Sequence, residues 1–152
     1  MAPQFFHRGL VKKITGKNKT QAIEKWKEKF GISPPEKIKK GEYCTYFSVF
    51  SYGLTPSVRK LRAIKAYKNA SANGCYIIVQ GGHRDRVFQH ESPNLPSVKQ
   101  LEELRDHEQS FADIYVTDDK FQWTFVITHE DSEPGFGPYF SNPPIGWKRK
   151  ED

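Results

Sequence analysis

The run Phe111–Glu130, FADIYVTDDKFQWTFVITHE, constrains the fold more than any other stretch of the chain. Both halves are rich in β-branched and aromatic residues, and the join at Asp118, Asp119 and Lys120 carries turn chemistry, so the run reads as a β-hairpin. Period-2 alternation puts Phe121, Trp123, Phe125 and Ile127 on one face of the second strand. His129 continues that face where the apolar run ends. Four large apolar side chains in a row mark a face that must be buried, but they name no chemistry.

The rest of the chain supplies cover for that face. Ala22, Ile23, Trp26 and Phe30 follow helical spacing from Thr20, with Asn18 or Thr20 as N-cap and Gly31 just past the end. Glu42–Tyr52, EYCTYFSVFSY, is dense in strand-forming residues and is expected to be a strand, although a 3.6-residue period fits it nearly as well. Thr55-Pro56 has the form of an N-cap followed by proline at the first helical position, which predicts a second helix to about Asn69. Cys75–Val79 is apolar on both faces and suits a central strand, with a short return strand around Val87 and Phe88. Ser97 and Gln100 have capping-box spacing and open a third helix that buries Val98, Leu101 and Leu104. The segment from Asp131 to Trp147 combines four prolines and three glycines with four aromatic rings, and reads as an ordered loop lying over the body of the domain.

This order has no βαβ regularity and no repeat. It predicts a single α+β domain over residues 1–152, with a mixed or antiparallel sheet of four to five strands covered by about three helices. A basic N-terminal extension (about residues 1–18) and a Pro/Gly-rich C-terminal segment (131–152) flank it.

Charge is divided unevenly. Residues 1–70 hold 16 Lys and Arg against 4 Glu, net +12, whereas residues 71–152 hold 8 against 14 acids, net −6. Such a split attracts an anionic partner to one side, draws two copies together, or serves only solubility. No apolar run approaches the ~20 residues that span a bilayer, and the N-terminus lacks a secretory h-region, so the expectation is a soluble, cytoplasmic protein with no membrane partner. Cys44 and Cys75 sit singly in strand-like runs, which suits buried thiols in a reducing compartment better than a disulfide.

No phosphate loop, dinucleotide fingerprint, nucleophile elbow, CxxC pair or HExxH is present, and no cofactor or metal site is expected. Three weaker constellations remain. At Thr128-His129-Glu130-Asp131 an imidazole stands beside carboxylates, the composition of a general base and its partner, with His129 and Glu130 as the candidate catalytic residues; the plainer reading is a packed strand-end histidine. Arg84 and Arg86, after Gly81-Gly82, have the character of a phosphate or carboxylate clamp, or of a solvated turn. Tyr139 and Trp123 are candidate ligand contacts beside them. Arg59, Lys60, Arg62, Lys65 and Lys68 form a basic stretch suited to phosphates, or a solvated helix face.

At FSVFSY, ANGCYIIVQ, ADIYVTDDKFQWTFVITHED and GPYF the chain resembles a family of small uncharacterised bacterial proteins, over roughly residues 43–140. The resemblance implies that Trp123, Thr124, His129, Glu130, Gly137, Pro138, Tyr139 and Phe140 belong together, and it implies no activity. The resulting expectation is a non-enzymatic binding or regulatory protein, of inhibitor or immunity type, that meets a protein partner through charge complementarity. A small hydrolase or nuclease-like enzyme built on His129 and Glu130, and a nucleic-acid-binding protein, are the alternatives.

Overall fold

The computed structural model describes residues 11–32, 46–81, 85–108 and 112–149. Cys44, Phe111 and Arg84 lie outside the described residues, as does the first part of the expected strand Glu42–Tyr52.

Among the described residues seven strands form one sheet in the order β1-β4-β3-β5-β6-β7-β2, with every neighbouring pair antiparallel. They are β1 (Val11–Ile14), β2 (Val58–Arg59), β3 (Cys75–Gln80), β4 (Arg86–His90), β5 (Asp113–Asp118), β6 (Thr124–Ile127) and β7 (Tyr139–Ser141). Four helices accompany them among the described residues: α1 (Gly16–Phe30), α2 (Ser48–Ser51), α3 (Leu61–Asn69) and α4 (Val98–Glu108). The fold is α+β, with a wider sheet and one more helix than the four to five strands and three helices expected.

The central strands are buried on both faces, and this dictates the layering. In β3, Ile77 and Val79 point to one face and Ile78 to the other; in β5 and β6, Ile114, Val116, Phe125 and Ile127 oppose Tyr115 and Val126. Each set needs its own cover. Ala63 and Tyr67 of α3 with Leu101 and Leu104 of α4 close the first face. Ala22, Ile23, Trp26 and Phe30 of α1, with Val49 and Phe50 of α2, close the second.

Local chemistry explains several boundaries. Gly31 adopts φ 63°, the left-handed conformation that ends α1 as its position predicts, and its amide donates to the Lys27 carbonyl. At the start of α4, the Ser97 amide donates to Gln100 Oε1 at 2.8 Å and the Gln100 amide to Ser97 Oγ at 3.1 Å, so the capping box is closed in both directions. The hairpin turn is held by Asp118, whose Oδ1 accepts the Gln122 and Trp123 amides at 2.6 and 2.9 Å.

Other expectations are corrected. Residues 46–52 make a turn and the single helical turn α2 instead of a strand, because Val49 and Phe50 both pack inward beneath α1 and the Leu54 and Thr55 amides cap the Val49 carbonyl. The second helix starts at Leu61 and not at Pro56. Thr55 donates its hydroxyl to the Phe30 carbonyl at 2.6 Å, tying two segments together instead of capping a helix, and Val58–Arg59 pairs with β7. α1 begins earlier than expected, with Thr15 at its N-cap position and no side-chain cap. Phe121 leaves the face of Trp123: at φ 55° it belongs to the turn and stacks on Tyr76 with ring centroids 5.4 Å apart.

Trp26 shows how the layers are joined. It is fully buried, packs edge-on against Tyr115 with centroids 4.9 Å apart, and donates its indole N–H to Thr124 Oγ1 at 3.1 Å. Replacing it removes a large buried volume that the rigid sheet cannot refill, so Trp26→Ala should lower unfolding free energy by about 3 to 5 kcal/mol in urea denaturation. A loss below 1 kcal/mol would show that α1 is not integral to the core.

Candidate functional site

Strand register decides which side chains meet at the end of the hairpin. Ile114 pairs with Ile127, so Asp113 and Thr128 stand opposite each other one step further on. Asp113 is 1% exposed, and its Oδ1 accepts both the His129 backbone amide at 2.9 Å and the His129 ring at Nδ1, 2.8 Å away. The other ring nitrogen, Nε2, lies 3.7 Å from Glu130 Oε1. His129 is thus anchored from two sides, and its ring edges against Phe47 of the α1–α2 layer at 5.9 Å, away from Trp123. Burial raises the Asp113 carboxyl above its ordinary range, while the hydrogen bonds and charge of His129 pull it back.

The chain then turns. Asp131 folds back onto Thr128, accepting its amide at 3.0 Å and its hydroxyl at 2.7 Å. Lys60 Nζ donates to the carbonyls of Asp131 and Glu133, and the Lys60 amide donates to the Pro138 carbonyl at 2.9 Å. Lys60 itself sits at φ 58° and ψ −130°, a conformation that costs a non-glycine residue about 1 to 3 kcal/mol and persists only where its surroundings hold it. These three bonds do so. Arg59 donates to the carbonyls of Phe50, Ser51 and Gly135 and lies over the Tyr139 ring at 5.3 Å. Gly137 allows the tight return: a Cβ there would stand 2.7 Å from Tyr139 Cδ2 and 2.8 Å from Asp131 Oδ1.

Around this turn opens a cleft of about 370 Å³ between α3 and α4. Ile64, Val98, Ile127 and Pro138 give it an apolar side; Glu102, Arg105, Asp106, Thr128, His129 and Asp131 give it a polar one. Arg105 is partly engaged, with Nη1 3.3 Å from the Thr128 carbonyl and Nε 3.4 Å from Asp106.

The candidate residues of the sequence divide accordingly. His129 lines the cleft and Glu130 stands beside it. Trp123 and Tyr139 are core: Trp123 is 5% exposed and stacks on Phe140 at 5.6 Å, and Tyr139 is fully buried against Phe47 and Phe50, its hydroxyl pushed up to about 12 by burial. The return of the segment over the hairpin, expected as a loop, is strand β7 paired with β6. Arg86 lies on β4, separated from β6 by β3 and β5, roughly 14 Å away at ordinary strand spacing, so it does not reach His129 through the sheet. In the basic stretch, Arg59 and Lys60 are spent on backbone carbonyls, while Arg62, Lys65 and Lys68 remain on the exposed face of α3. Sequence reasoning missed Asp113. Its only signal was hairpin register, which sets it opposite the residue before His129.

Among the described residues no group of three or more His, Cys, Asp or Glu is placed to hold a metal ion, and no helix is long and apolar enough to cross a membrane. Cys75 is a buried free thiol, pushed up to about 12 by burial.

Compared with known proteins, residues 12–140 match the family model of a domain of unknown function, DUF4275. The chain belongs to this family. The match takes in β1 and α1, well before the roughly residue-43 start suggested by the shared motifs, so the basic first helix is part of the DUF4275 domain. No curated protein and no solved structure matches the chain.

Burial pushes Asp131 up to about 6, although Thr128 hydrogen bonds and the charges of Arg105 and Lys60 oppose the shift. An unfolded aspartate titrates near 3.9, so between about 4 and 6 the folded protein holds this proton more tightly. The stability the proton brings is complete below about pH 4 and is lost as pH rises through about 6. Carboxyl carbon chemical shifts should show Asp131 titrating near 6. A midpoint near 3.9 would mean that the carboxylate is solvated and the loop open.

Proposed function

We propose that this DUF4275 protein is a non-enzymatic binding protein, of inhibitor or immunity type and working in the cytoplasm, that meets a protein partner at the face carrying α3 and α4. The observation behind the reading is the segregation of charge on two neighbouring helices. The outer face of α3 bears Arg62, Lys65 and Lys68, with no acid anywhere on the helix, and none of the three makes an ion pair among the described residues. α4 exposes Glu102, Glu103 and Asp106. The basic outer face of α3 and the acidic wall of α4, which lie on either side of a cleft that α3 lines through Ile64 alone, favour a partner with complementary patches over a uniformly anionic one. That weighs against nucleic acid, whose phosphates the acidic wall repels, and so does the internal use of Arg59 and Lys60.

A hydrolase or nuclease-like reading retains one supporting observation, the 2.8 Å contact between Asp113 and His129 Nδ1, which orients an imidazole as a general base requires. Against it, the Thr128 hydroxyl is committed to Asp131, and Nε2 faces the neighbouring Glu130. The same contact suits a latch that fixes the end of the hairpin.

A photo-crosslinking residue placed at Leu61, which is 80% exposed, should yield a discrete protein adduct when irradiated in an extract of cells that express the protein. Adducts removed by nuclease would favour nucleic acid, and the absence of any adduct would sink the reading. Turnover of a phosphodiester or ester probe that is lost in His129→Gln, with unchanged thermal stability, would move the assignment to the enzyme.

A further inference from the structure

Resting on the reading of the α3–α4 face as a protein-docking surface, we infer that this face takes a second copy of the chain, in a two-fold dimer that sets Arg62 and Lys65 of each protomer against Glu102 and Asp106 of the other. The two helices cover the same side of the sheet, and the cleft between them reports their relative course. Ile64 faces Val98 and Glu102 across it, while Tyr67, one turn later on α3, reaches back to the Pro96 carbonyl. α3 and α4 therefore run antiparallel, side by side, with Arg62 and Lys65 level with the stretch Glu102 to Asp106.

A two-fold axis parallel to the helices lays each α3 over the other protomer's α4, so the pairing of Arg62 and Lys65 with Glu102 and Asp106 occurs twice. An axis perpendicular to the helices lays α3 on α3 and α4 on α4, stacking like charges. Charge thus selects one of the two ways of closing this face on itself. Lys68 and Lys99, at the other end of the cleft, oppose close approach there, which centres the contact on the end that holds Asp131.

Leu61 supplies the apolar element. It is 80% exposed at the start of α3, on the same helical face as Arg62 and Lys65, and the dimer would cover it with the other protomer's α4. Helices of nine and eleven residues span only about 13 and 16 Å, so the interface lies at the small end of specific complexes and should be weak and salt-sensitive. The docked copy would also roof the cleft beside His129.

Light scattering coupled to size-exclusion chromatography tests this with the intact chain. At about 100 µM and low salt the wild type should have twice the monomer mass, and at 1 M salt, where the screening length is about 3 Å, it should be monomeric. Arg62→Glu with Lys65→Glu should be monomeric at low salt, as should Glu102→Lys with Asp106→Lys. Mixing these two variants should give a 1:1 heterodimer, since each then carries the complement of the other, and combining all four changes in one chain should restore the homodimer. These positions are exposed, and circular dichroism melting confirms that each variant is folded. A wild type that stays monomeric at about 100 µM in low salt, or a dimer indifferent to the reversals, overturns the inference. A Leu61 crosslink to a different protein would then leave the docking reading standing, whereas a crosslink at twice the chain mass supports the dimer.

Discussion

The structure depends on a central trio of strands that no single layer of helices could cover. All six residues of β5 and all four of β6 are buried, and β3 shows one partly exposed position in six. Strands apolar on both faces need helices on both sides. The sheet nevertheless remains antiparallel: short returns join β3 to β4 and β5 to β6, and each helix lies between strands that are not neighbours in the sheet. The result is a sandwiched antiparallel sheet, an arrangement in which the positions of α1 on one face and of α3 and α4 on the other are fixed by the same three strands.

A polar thread secures the second face. The Tyr115 hydroxyl donates to Gln80 Oε1 at 2.7 Å and accepts the Phe47 amide at 3.0 Å, and Gln80 Oε1 also accepts the Tyr46 amide. Burial holds the Tyr115 hydroxyl protonated far above its ordinary range. The segment before α2 is thereby pinned to the sheet through side chains, without strand pairing. Pinning Phe47 places its ring beside His129, so the packing of one layer helps to aim a side chain at the edge of the cleft in the other.

What could be read in the sequence was local. The run apolar on both faces at Cys75–Val79, the alternation of Trp123, Phe125 and Ile127, the Ser97–Gln100 box and Gly31 each encode their structure within a few residues, and each was legible. Elements set by distant partners were not. β1, β2 and β7 are two to four residues long and exist because β4, β7 and β6 respectively offer edges to pair with. Thr55-Pro56 carries a helix-start signal that the Phe30 carbonyl overrides, and the aromatic run around Val49 has strand composition but is recruited as a helical turn under α1. The site was half legible: His129 and Glu130 stand out as neighbours, whereas Asp113, sixteen residues away, emerges only through register. Arg59 and Lys60 read as surface charge, yet their donors are consumed by carbonyls of the returning loop.

These roles leave α3 with one face buried, its first turn anchored through Lys60, and an outer face carrying unneutralised charge opposite the acids of α4. The central claim is that this face, and not the basic face of α1 on the far side of the sheet, is where the protein meets its partner copy. Hydrogen–deuterium exchange at increasing protein concentration tests it most directly. The account predicts that amides of residues 61–69 and 98–108 gain protection as concentration rises from about 1 to about 100 µM, while those of 16–30 do not change. Unchanged exchange in α3 and α4, or new protection confined to α1, would contradict it.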